Sequence, residues 1–158
     1  MGRLLKFFDR KAMTTTRSRS WVYDPHSGGK KIPETSKRAV EARLQAHFAK
    51  LGFSKHYRLD VRFRGALCYL DAYALVPDMA AVNNWVRDGM DVEEAKARVL
   101  SFPIKLGRLR HFDINRWSYA FFTYSNERYE ATSLSADGTG LPEQGLEMGC
   151  QYLDLEPQ

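Results

Sequence analysis

The chain has few of the residues and spacings on which a recognisable chemistry usually rests. Its two cysteines, Cys68 and Cys150, stand in otherwise apolar segments with no CxxC spacing. That excludes a dense disulfide scaffold and a zinc ribbon, and predicts reduced core thiols. Four histidines, His26, His47, His56 and His111, show no HxxxH pairing, so no metal site and no cofactor is expected. There is no GxSxG turn for a nucleophilic serine. No apolar run approaches the roughly 20 residues that span a bilayer. No uninterrupted apolar segment follows the basic start, which points away from a secretory signal. A cytoplasmic protein without a membrane is the expectation.

Charge is present, but unevenly placed. Six of the 24 Lys/Arg and one of the 19 Asp/Glu fall in residues 1–20, so residues 21–158 carry 18 of each. The pI near 9.3 therefore belongs to the start of the chain, and the body shows no overall basic bias. Residues 1–20 read as a basic flexible extension, with Thr14-Thr15-Thr16-Arg17-Ser18-Arg19-Ser20 as its loosest part. An arm for an anionic surface, a targeting segment and a dispensable extension all fit that composition.

The stretch "WVYDPHSGGKKIP" (21–33) gathers Asp-Pro, a histidine, Gly-Gly and Lys-Lys. A phosphate-cradling loop needs G-x-x-x-x-G-K-S/T; here the first glycine and the hydroxyl after lysine are missing. The stretch reads as a turn-rich surface loop, with Tyr23, His26 and Lys30 as candidate contacts at its edge.

Hydrophobic spacing then sets out the elements. Val40, Leu44, Phe48 and Leu51 share one face of a helix over 35–51, with Thr35 or Ser36 as its cap and Gly52 as its end. His47 flanks that face. In "YRLDVRFRG" the period changes to two, with Tyr57, Leu59, Val61 and Phe63 alternating with Arg58, Asp60, Arg62 and Arg64. After Gly65, Cys68, Leu70 and Ala72 form one row and Tyr69, Asp71 and Tyr73 the other. Asp78 and Asp91 cap two short helices between 77 and 100. Strands follow at about 104–112, 117–124 and 128–134, and Pro142 opens a last helix. The order α-β-β-(α-α)-β-β-β-α predicts an α+β fold, an antiparallel sheet of about five strands with helices packed mainly on one face. Residues 21–158 form a single domain in this reading.

The richest surface is the polar row of the sheet: Arg58, Arg62, Arg64, Tyr69, Asp71 and Tyr73, joined by Arg108 and Arg110 if a bulge at Gly107 turns them outward. Arginines beside tyrosines suit a single-strand nucleic-acid platform. The same residues suit a protein interface, including one between copies of the chain. They also suit a plain solvated face on which Arg58, Arg62 and Arg64 neutralise Asp60, Asp71 or Glu130. The favoured expectation is a non-catalytic binding module, with nucleic acid ahead of protein as partner. The alternative is a small enzyme in which Arg62, Arg64, Arg108 and Arg110 hold an anionic substrate and Asp71 or His111 moves a proton.

Taken together, "VYDPHSGGKKIP", "RLDVRFRGALCYLDAY", "LGRLRHFDINRWSYAFFTYSNERYE" and "GTGLPEQGLEMGCQYL" resemble a group of small bacterial proteins of unassigned function, over about residues 21–155. The resemblance implies a bacterial cytosolic domain and carries over no functional residue.

Overall fold

The computed structural model describes residues 28–153. Helix α1 (Glu34–Lys50) and a short 3-10 turn lead into β1 (Tyr57–Arg64) and β2 (Leu67–Ala74). Helices α2 (Met79–Arg87) and α3 (Val92–Leu100) follow, then β3 (Ile104–Asp113), β4 (Arg116–Thr123), β5 (Arg128–Thr132) and α4 (Pro142–Cys150). The strands pair antiparallel in the order β1-β2-β3-β4-β5. This is the α+β order that the hydrophobic periods predict. Among the described residues no helix is long and apolar enough to cross a membrane.

The alternation in β1 puts Leu59, Val61 and Phe63 opposite Ala72, Leu70 and Cys68 on one sheet face. Onto that face pack Val40, Leu44 and Phe48 of α1 and Leu146 and Cys150 of α4, closing over Leu106, Leu109, Trp117 and Tyr119. Each large side chain fully buried here contributes about 1.5–3 kcal/mol. Burial pushes the Cys150 thiol up to about 12 and raises the Cys68 thiol further, so both are apolar packing and not nucleophiles.

Caps divide between side chain and backbone. Asp78 accepts from the Ala80 N–H, and Asp91 from those of Glu93 and Glu94, as their positions predict. Helix α1 starts earlier than a cap at Thr35 or Ser36 would place it. Pro33, at φ −63° and ψ 150°, sets the entry, and its carbonyl accepts from the Lys37 N–H.

An ion pair and a histidine–carboxylate hydrogen bond join α1 to α4. Arg43 grips Glu143 with both ends of its fork (Nη2–Oε1 2.8 Å, Nε–Oε2 3.2 Å), and His47 Nε2 meets Glu147 Oε1 at 2.7 Å. Beneath them, Gly145 and Gly149 let α4 settle onto β3. A Cβ on Gly149 would stand 2.3 Å from the Leu106 carbonyl oxygen.

Candidate functional site

Strand geometry decides which side chains share the outer face, the one opposite α1 and α4. On β1 these are Arg58, Asp60, Arg62 and Arg64; their β2 neighbours are Tyr73, Asp71, Tyr69 and Leu67. Arg108 and Arg110 of β3 continue the row beside Tyr69 and Leu67. The pairing slips between Leu70 and Asp71, where Leu106 of β3 is the extra residue. That bulge reverses the alternation, so Leu106 joins the core and Lys105 comes out opposite Asp71.

Over β1, β2 and β3 the outer face therefore holds six cations (Arg58, Arg62, Arg64, Lys105, Arg108, Arg110) against two carboxylates (Asp60, Asp71). A body with equal numbers of each sign has been sorted by the fold into one cationic face.

The cations lie on aromatic rings. Arg58 sits over Tyr73 at 4.5 Å, Arg62 over Tyr69 at 5.4 Å, Arg108 over Tyr129 at 4.7 Å and Lys105 over Phe122 at 4.8 Å. The rings touch one another edge-on, Tyr69 to Tyr129 and Tyr129 to Phe122. Each cation over a ring gains about 0.5–1 kcal/mol at an exposed site.

Asp71 lies at the centre. Its Oδ2 accepts from Arg62 Nη2 at 2.9 Å, while Oδ1 has no hydrogen-bond partner among the described residues. Burial would lower the Arg62 pKa, but Asp71 outweighs it and leaves the guanidinium more firmly protonated than usual. Burial, then the Asp71 charge, pushes the Tyr129 phenol up to about 12. Asp60 draws in Arg62 (3.5 Å) and Arg58 (3.9 Å), and Arg64 forms no ion pair with a described residue. Glu130 pairs instead with Arg128.

The arginines differ in access. On the edge strand, the Arg58 and Arg62 side chains are 58% and 56% exposed. Arg108 and Arg110 are buried at 7% and 8%. Tyr129 covers Arg108, and Arg110 Nη1 donates to the Gly28 carbonyl at 2.8 Å. Gly29, at φ +87°, lies so close that a Cβ would meet Arg110 Cγ at 2.9 Å. Lys30 belongs to the same strap: its N–H donates to the His111 carbonyl and its own carbonyl accepts from His111 Nδ1. Tyr23, His26 and residues 1–20 lie outside the described residues.

His111 does not join the arginines. Its ring packs on Trp117, 4.7 Å away, on the helix-covered face. Asp71 and His111 thus project from opposite sides of the sheet, and of the two candidate proton-transfer groups only Asp71 lies beside the arginines. Among the described residues no group of three His, Cys, Asp or Glu side chains converges for a metal.

Lys105, Phe122 and Tyr129 belong to this face and are not legible as such from sequence. The signal for Lys105 is Gly107, whose bulge shifts parity by one residue. The two rings need the β4–β5 register.

No protein-family model, curated protein or solved structure matches the chain.

Proposed function

We propose that the chain is a binding module that engages single-stranded nucleic acid across the outer sheet face. The observation that supports this is the sorting of charge: six cations against two carboxylates on three adjacent strands of a body that is neutral in sum. Clustered positive charge on one face is the electrostatic footprint of a polyanion ligand. The accessible part is the row Arg58, Arg62, Arg64, with the buried Arg108 and Arg110 adding field without contact.

Fluorescence anisotropy of a labelled mixed-sequence single strand tests the reading. The full chain should bind at low salt, with the logarithm of affinity falling linearly against the logarithm of salt concentration. Replacing Arg58 and Arg64 together by Glu should weaken binding at least tenfold and reduce the salt slope by about one for each phosphate no longer neutralised. Absence of binding at low salt would overturn the proposal.

A further inference from the structure

A ring serves as a stacking platform only when one of its faces is open to a base. On this surface Tyr73, Tyr69, Phe122 and Tyr129 each carry one of the chain's own cations on one face. The ring edges of Tyr69, Tyr129 and Phe122 are taken up by one another. On the edge strand, where the Arg58 and Arg62 side chains are 58% and 56% exposed, what the surface offers outward is therefore guanidinium. A guanidinium held over a tyrosine ring has already lost part of its rotamer freedom, so less is lost when it hydrogen-bonds an anion. Arg62 and Arg64 stand two residues apart on one strand face, roughly 6.6 Å, and Arg58 extends the row in the other direction.

Resting on the nucleic-acid reading, we infer that this face reads the phosphate chain and not the bases. Arg58, Arg62 and Arg64 are the contact row, and Tyr73 and Tyr69 are positioning residues that hold the first two. Asp60, 3.9 Å from Arg58 and 3.5 Å from Arg62, competes with phosphate for both. Tyr124, just past β4, meets Phe122 edge-on at 5.0 Å but carries no cation from the described residues and is more exposed than the other four rings, so it is the ring most open to a stacked base.

The decisive measurement compares a single strand with an abasic strand of the same length and charge, with linear inorganic polyphosphate as competitor. The abasic strand should bind within about threefold of the natural one, because one stacked base alone is worth roughly five- to 150-fold. Polyphosphate should displace both. Tyr73→Leu should weaken binding severalfold while Tyr73→Phe restores it, Asp60→Asn should tighten it, and Tyr124→Ala should leave it unchanged. An abasic strand bound more than about tenfold weaker, or a tenfold loss in Tyr124→Ala, overturns base-independent reading while leaving nucleic-acid binding intact. If neither strand binds, the nucleic-acid reading itself fails.

Discussion

Arg62 and Asp71 meet diagonally across the β1–β2 pair, Nη2 to Oδ2 2.9 Å, with the arginine side chain 56% exposed and the aspartate 3%. The pair is thus lopsided. Arg62 can leave for water, whereas Asp71 has no second partner among the described residues to turn to. The arginine that offers itself to a ligand also keeps a buried carboxylate compensated, and this ties binding on the face to the stability of the sheet.

Arg62→Ala should therefore destabilise the fold by about 2 kcal/mol. That is less than a fully buried pair would cost, because solvent screens the exposed arginine. The double change Arg62→Ala with Asp71→Asn should recover a good part of the loss, since no buried charge remains uncompensated. Urea unfolding measures both. A single variant within about 0.5 kcal/mol of the parent would show that the pair is merely superficial.

Gly149→Ala should cost about 3 kcal/mol, since its Cβ would stand 2.3 Å from the Leu106 carbonyl and backbone cannot rotate away. Gly65→Ala is the contrast. Nothing lies within 4 Å of its Cβ, and only the φ of +60° is strained, so roughly 1–2 kcal/mol is expected. Thermal unfolding should rank the two in that order.

Acid should act partly through Asp137. Its carboxylate accepts from the Ser135 hydroxyl and from the Thr139 N–H and hydroxyl, which lowers its pKa from 3.8 to about 2. A group whose folded pKa is depressed contributes stability above its unfolded value and loses it as pH falls through the folded one. The Tm difference between the parent and Asp137→Ala should hold above about pH 4 and shrink towards pH 2. A difference independent of pH over that interval would assign the loop's stability to packing.

Neither thiol should react in the folded protein. With Cys68 and Cys150 both buried and their pKa values raised, a thiol-specific disulfide reagent at about pH 8 should label them only as fast as the chain opens, and rapidly once it is denatured. Stoichiometric labelling within mixing time in native buffer would contradict this packing.

The elements are legible because each rests on local physics. A strict period of two marks β1, a four-four-three spacing marks α1, and Asp78 and Asp91 announce their helices by the donors they satisfy. The side of the sheet on which Arg58, Arg62 and Arg64 stand follows from alternation alone. The start of α1 escapes a search for hydroxyl caps because Pro33 supplies the entry geometry that such a cap would otherwise provide.

Alternation assigns a residue to a face of its own strand, not to a place across the sheet. Sequence thus establishes that the chain has an arginine-rich strand face and an apolar one to bury. It does not establish that β1 lies at the edge, where its arginines meet water, or that β3 lies inside, where Arg108 and Arg110 are covered. Nor does it reveal that one bulged residue, Leu106, brings Lys105 out, or that His111 faces the helices while Asp71 faces away. Those outcomes depend on register and strand order, set by contacts between residues tens of positions apart. No local pattern encodes such contacts, and the folded sheet alone selects among them.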